Sequence, residues 1–288
     1  MRHDATEYLL DVPGGRLRSF VRGSGPALVL IAGGHGDASR TEALAGHLAD
    51  RFTVLTYDRR GLSGSTTSAP ATTLATHADD VSRLLVRFPA EQVHVYGTSL
   101  GALIALELTA TRPERLGVVI AHEPPVTQLL PRSQQRAAER DLVEVQGRFL
   151  AEGVGAALRQ FAGMLDIDPA DREPDVQAAP ARPQQMSNAE YFLTHDLPIV
   201  RAHALDVAAL QSSPALIVAG VGQNSGSIWP HHCGRLLSEE LGIPLETFPG
   251  GHNGYAFRPH ATADQLHQVI LQAEIPHRAD ARSRQTQH

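Results

Sequence analysis

Apolar residues in this chain follow two periods that alternate along its length. Short runs, apolar throughout or at every second position, occur at "EYLLDV" (7–12), "RLRSFVRG" (16–23), "ALVLIAG" (27–33), "FTVLTYD" (52–58), "QVHVYG" (92–97), "GVVIAH" (117–122), "ALIVAG" (215–220) and "PLETFPGG" (244–251). Turn signals such as "PGG" and "GSGP" bound them, so each predicts a strand. Several are apolar at every position, as expected of strands covered on both faces of a parallel sheet. Between them, "ASRTEALAGHLADR" (38–51), "LATHADDVSRLLVRF" (74–88), "SLGALIALELTATR" (99–112) and "HCGRLLSEELG" (232–242) repeat apolar residues at three- and four-residue spacing and predict helices. The alternation predicts an α/β fold, a mostly parallel eight-stranded sheet flanked by helices.

The rhythm breaks after residue 124. No strand pattern appears from 125 to 210. "QQRAAERDLVEVQGRFLAEG", "VGAALRQFAGML" and "NAEYFLTHDLPIVRAHALD" have helical spacing, around the Pro- and Asp-rich "DIDPADREPDVQAAPARPQQ". Residues 1–124 and 211–275 are expected to form one core domain and 125–210 a helical cap, a natural lid over a site. The polar stretch 276–288 is expected to be a disordered tail.

Composition narrows the function classes. The 288 residues carry a formal net charge of -6 and 42% hydrophobic residues. Arginines are scattered, so no basic footprint for nucleic acid is visible. The single cysteine, Cys233, excludes an intramolecular disulfide. The segment "MRHDATEYLLDV" lacks the apolar core of a secretion signal, and no apolar run is long enough to span a bilayer. These features predict a cytoplasmic protein without membrane association and leave homo-oligomerisation open.

The most informative stretch is "VHVYGTSLGALIALEL". Gly97, Thr98, Ser99, Leu100 and Gly101 form G-x-S-x-G after an apolar strand and before an apolar helix. A chain turning that sharply must place Ser99 in a strained conformation and bring residues 97 and 101 against neighbouring backbone. The turn exposes the Ser99 hydroxyl at a helix N-terminus, which favours negative charge. A Gly-rich loop follows the strand in "LVLIAGGHGDAS", and "FPGGHNGY" places His252 between the last strand and the final helix. A nucleophile, backbone donors for an oxyanion and a late histidine are the parts of an acyl-transfer site.

At this point the chain resembles the α/β-hydrolase family, over residues 7 to 272, with "YDRRGLSGS" (57–65) similar to the loop after that family's fourth strand. The resemblance implies Ser99 as nucleophile, His252 as base, and an oxyanion hole from the N–H groups of Leu100 and Gly34. The family's His-Gly-x pattern falls on Ala32, Gly33 and Gly34. Ala32 therefore departs from it, and His35 is the candidate to brace the loop instead.

The acid is displaced. The family often places Asp three residues past the glycine of "ALIVAG", but Gln223 stands there, followed by Asn224 and Ser225. The family's other solution puts the acid after the sixth strand, where Glu123 follows "LGVVIAH" and precedes two prolines. Glu123 is the expected acid. Asp206, or no acid at all, are the alternatives, and in those cases Glu123 would pair with Arg59 or Arg60.

Other patterns carry less. His231, His232 and Cys233 lack metal-ligand spacing and are expected to start a helix. "GGHGD" lacks the ending of a phosphate loop, and no G-x-G-x-x-G follows a strand, so neither metal nor nucleotide cofactor is expected. Ser99 in the nucleophile position argues against the haloalkane dehalogenases and epoxide hydrolases of this fold, which use Asp. The expected substrate is a small to medium apolar ester or lactone. C–C bond hydrolysis, acyl transfer and non-catalytic ligand binding are the alternatives. Phe149, Leu158, Phe161, Met164, Leu165, Tyr191 and Phe192 are candidates to line the pocket.

Overall fold

Residues of opposite parity along the central strands feed two separate cores. The computed structural model describes residues 4–68, 73–177 and 183–285, with side chains described to residue 274. One sheet contains β1 (Thr6–Val12), β2 (Gly15–Gly23), β3 (Ala27–Ile31), β4 (Thr53–Tyr57), β5 (Thr66–Thr67), β6 (Val93–Thr98), β7 (Leu116–His122), β8 (Leu216–Gly222) and β9 (Leu245–Phe248), in the order β1-β2-β4-β3-β6-β7-β8-β9 with β5 paired to β2 off that path. The eight predicted strands are all present. The ninth, β5, has two residues and is too short to show a period. β1, β2 and β4 pair antiparallel at one edge, and every pairing from β4 to β9 is parallel.

Val29, Ile31, Val95, Val119 and Ile217 point into one core, and Leu28, Leu30, Tyr96, Val118 and Val218 into the other. These strands read as unbroken apolar runs because side chains alternate in direction and both faces are covered. The helices are α1 (Glu42–Leu48), α2 (Leu74–Leu84), α3 (Leu100–Thr111), α4 (Arg132–Glu152), α5 (Val154–Met164), α6 (Pro183–Tyr191), α7 (Leu197–Ala202), α8 (Val207–Gln211), α9 (Trp229–Leu241), α10 (Gly254–Phe257) and α11 (Pro259–Gln285). A π-helical turn, Phe192–Asp196, joins α6 to α7. α2, α3 and α9 cover one face of the sheet, α1 and α11 the other.

Helices α4 to α8 fill the span between β7 and β8, with no strand among the described residues. α8 packs on α3 and α9, so the end of the expected cap lies against the core helices. α11 carries the backbone on to Gln285, into the stretch expected to be a tail, and the end of that stretch lies outside the described residues. Among the described residues no helix is long and apolar enough to cross a membrane.

The turn between β6 and α3 holds the sheet and its first covering helix in close contact. A Cβ on Gly97 would strike the carbonyl of Gly101, and one on Gly101 would strike the carbonyl of Ile31 in β3. Backbone cannot yield as a flexible side chain can. Gly101→Ala is therefore expected to cost about 3 kcal/mol or more, measured as a lower urea midpoint at unchanged slope; an unchanged midpoint would show that the turn has room.

Candidate active site

Parallel register brings three strand ends together. Thr98 pairs with His122, and His122 with Gly220, so the residues that leave β6 and β7, Ser99 and Glu123, emerge at the same edge of the sheet. The Ser99 N–H donates to the His122 carbonyl at 2.9 Å, and the Glu123 N–H to the Gly220 carbonyl at 2.8 Å. Ligand sites gather at this carboxyl edge in open α/β sheets. Both residues hold left-handed backbone, with φ of 53° at Ser99 and 47° at Glu123. Such conformations cost of order 1–3 kcal/mol and persist only where the surroundings impose them.

His252 follows β9 and comes back to the same edge. Its Nδ1 lies 2.6 Å from Glu123 Oε2, with His252 4% and Glu123 0% exposed. The other carboxylate oxygen, Oε1, accepts the N–H of Gly222 at 2.8 Å and the hydroxyl of Ser225. His231 Nδ1 stands 3.6 Å from the same oxygen. Burial alone would raise the Glu123 pKa, but the His231 and His252 rings outweigh it and hold the carboxyl well below the usual range. A buried, ionised carboxylate thus fixes one ring nitrogen of His252 and leaves the other free for chemistry.

The segment that lacks the expected acid has a different role. Gln223 ties β8 to β9 through its N–H and the Phe248 carbonyl, Asn224 donates to Asp171, and Ser225 donates to Glu123. Asp206 caps α8 by accepting the Ala209 N–H and is exposed. Arg59 pairs with Asp196 and Arg60 with Asp80, so neither arginine takes Glu123.

Ser99 sits where two compartments meet. One, about 50 Å³, is lined by Gly33, Gly34, His35, Arg40, His252 and Tyr255, with Ser99 in its wall. The other, about 20 Å³, is apolar and is lined by Leu142, Phe161, Met164, Phe192, Val200 and Trp229. Phe161, Met164, Leu165 and Phe192 of the candidate pocket residues line the compartments that Ser99 joins, whereas Phe149, Leu158 and Tyr191 line neither. Outside His252 lies a wider polar mouth of about 500 Å³ beside Asp166, Asp168 and Asp171.

Gly34 takes φ of 43° in the loop after β3, next to Ser99. The Leu100 N–H opens α3 and so has no intrahelical acceptor. His35 does not brace this loop. Its buried Nδ1 makes no hydrogen bond, and burial together with Arg40 and Arg59 lowers its pKa to about 4, so the ring is neutral. Arg59 does the bracing, donating to the carbonyls of Ala32 and Gly34.

Sequence reasoning missed Arg59, Ser225 and His231. Arg59 lies in "YDRRGLSGS" and Ser225 just past "ALIVAG", and neither neighbourhood carries a signal of its partner. His231, expected only to start a helix, lies in the first turn of α9 and faces Glu123. Among the described residues no group of three His, Cys, Asp or Glu side chains could hold a metal ion.

Comparison with known proteins agrees with this architecture. A profile described as the alpha/beta hydrolase fold matches residues 26–259. The chain is 33% identical over 267 residues to the uncharacterized hydrolase YraK of Bacillus subtilis (strain 168), covering 91% of this chain and 94% of that one. Its fold is similar to that of naproxen esterase (carboxylesterase NP) from Bacillus subtilis, with a TM-score of 0.69 at 14% identity over 93% of each chain. It is also similar to Est816, described as an N-acyl homoserine lactone degrading enzyme, with a TM-score of 0.67 at 18% identity over 91% of this chain and 99% of that one. The chain belongs to the alpha/beta hydrolase fold family.

Proposed function

We propose that the protein is a serine hydrolase that cleaves a carboxylic ester or lactone through an acyl-enzyme. The observation that carries this reading is the 2.6 Å contact between His252 Nδ1 and the buried Glu123 carboxylate, with Ser99 and His252 in the wall of one cavity. Ser99 Oγ attacks the carbonyl carbon while His252 removes its proton. The carbonyl oxygen becomes an oxyanion, held by the N–H groups of Leu100 and Gly34. The bond to the leaving alkoxide breaks, and His252 returns the proton to it. Water, deprotonated by His252, then attacks the acyl-enzyme and frees Ser99. Glu123 orients the imidazole and stabilises it while charged.

The apolar compartment of α4, α5 and the π turn supports a small to medium apolar group on one side of the scissile bond. Naproxen esterase and the lactone-degrading Est816 are consistent with this class. Compartments of about 50 and 20 Å³ are far below the ~300 Å³ or more of an occupied ligand pocket. The helices between β7 and β8 therefore act as a lid that must shift to admit substrate. The polar mouth at Asp171 is the way in.

Three outcomes test the reading. Intact mass after incubation with a fluorophosphonate is expected to show one adduct, mapped to Ser99 and absent in Ser99→Ala; folded protein that takes no label would remove the nucleophile. Glu123→Gln is expected to lower kcat by about 10³-fold or more while the protein stays folded, and full turnover in that variant would mean another group orients His252.

Ser225→Ala tests the support of the carboxylate. Glu123 is held ionised, so its stabilising contribution is present above the unfolded carboxyl pKa and is lost as pH falls through the lower folded value. Losing the Ser225 donor raises that folded value. The acid-unfolding midpoint of Ser225→Ala is expected at higher pH than that of the unchanged protein, with kcat down about tenfold, near the cost of one hydrogen bond to a charge. Superimposable acid-unfolding curves would show that the hydroxyl does not hold the charge.

A further inference from the structure

One group of polar contacts between the lid and the core lies at the loop that carries Gly34, apart from those that tie Asp171 to Asn224 and Arg258 and Glu173 to the start of α11. Asp196, last residue of the π turn, is 0% exposed, and its Oδ2 lies 2.8 Å from Arg59 Nη2. Arg59, 1% exposed, reaches onward with Nη1 to the Ala32 carbonyl at 3.1 Å and with Nη2 to the Gly34 carbonyl. Its guanidinium is a planar fork, able to fix several acceptors at once. His77 of α2 stands 3.4 Å from the other oxygen of Asp196.

A second contact lies beside the first. Asn188 of α6, also buried, donates from Nδ2 to Ser63 Oγ at 2.9 Å and to Asp37 Oδ2 at 3.2 Å, and accepts the Ser63 N–H at 2.9 Å. Asp37 closes the same loop after β3, and Ser63 holds left-handed backbone with φ of 49°. The π turn also sets Phe192 against the site. Its Cζ is the nearest atom, at 3.9 Å, to where a Gly34 Cβ would lie. Single π turns inside helices recur at functional sites, where they redirect side chains.

We propose that Asp196 and Arg59, seconded by Asn188, form a strut through which the seated lid fixes the peptides on either side of the one that bears the Gly34 N–H, and so holds that donor in its oxyanion-binding geometry. The inference rests on the hydrolase reading above. Arg59 and Asp196 are positioning residues: they touch the loop and the lid, not the substrate. The strut makes donor alignment at Gly34 depend on closure, so transition-state binding is strongest with the lid down. Asp196→Asn keeps the shape and one acceptor for Arg59 but removes its buried counter-charge, which costs stability, so this direct variant is compared only where it is shown to be folded. Asn188→Ala is the second, because Ser63 and Asp37 keep each other as partners without it.

The test compares the unchanged protein, Asp196→Asn, Asn188→Ala and the double variant on a chromogenic butyrate ester, with an alkyl boronic acid as tetrahedral mimic. A misplaced oxyanion donor costs roughly 10²-fold when lost outright, so Asp196→Asn is expected to lower kcat at least tenfold and Asn188→Ala about threefold. KM stays within threefold. Boronate affinity falls in step with kcat/KM, and the pH midpoint of kcat/KM stays in place because His252 and Glu123 are untouched. A folded Asp196→Asn and a folded Asn188→Ala that both keep kcat would overturn the strut. So would a rise in KM matched by an equal fall in kcat/KM at constant kcat, the mark of a lid that only binds substrate. Fluorophosphonate labelling separates the two levels: a labelled Ser99 with unaffected variants removes the strut alone, while no label on the unchanged protein removes the hydrolase reading and the strut with it.

Discussion

A carboxylate with no exposed surface cannot remain charged unless its neighbours replace water. Glu123 is in that position, and the arrangement of the site follows from it. An isolated buried ion is so costly that it would normally be neutralised. Here Gly222 N–H, Ser225 hydroxyl and the His252 ring contact its two oxygens, with His231 beside them. These four partners come from the end of β8, the loop after it, the loop after β9 and the first turn of α9. The charge therefore pins the stretch 222–231 and the loop after β9 to the end of β7, where Glu123 holds left-handed backbone.

The fold was legible where one residue type admits one explanation. Unbroken apolar runs gave the parallel strands, because only strands covered on both faces lack alternation. Gly97 and Gly101 were legible because backbone lies where their side chains would be. Glu123 could be found because it follows a buried strand at the sheet edge where sites form, two prolines stiffen its exit, and no acid occupied the later position. The two-residue β5 has no period to detect. The placement of α8 against α3 and α9 depends on packing that a helical pattern does not encode.

Partners distant in sequence were not legible. Arg59 and Asp196 lie 137 residues apart, and nothing in either neighbourhood marks the other. Ser225 and His231 are ordinary polar residues around a helix start until Glu123 is placed between them. Ala32 read as a lost brace on the oxyanion loop. The support had moved to Arg59, which grips the backbone carbonyl of Ala32 instead of any side chain there. At both departures from the family pattern a residue at a neighbouring strand end makes the contact: Glu123 meets His252, and Arg59 grips the loop after β3 and meets Asp196.

The buried contact between Glu123 and His252 implies a strong, water-excluded hydrogen bond from the Nδ1–H of the imidazole. Proton NMR of the folded protein near neutral pH tests it most directly, through a far-downfield exchangeable resonance assigned by its loss in His252→Ala. This resonance is expected in the unchanged protein, and is expected to move upfield or disappear in Glu123→Gln. A His252 resonance that keeps its position in Glu123→Gln would contradict this hydrogen bond and assign the imidazole's orientation to another group.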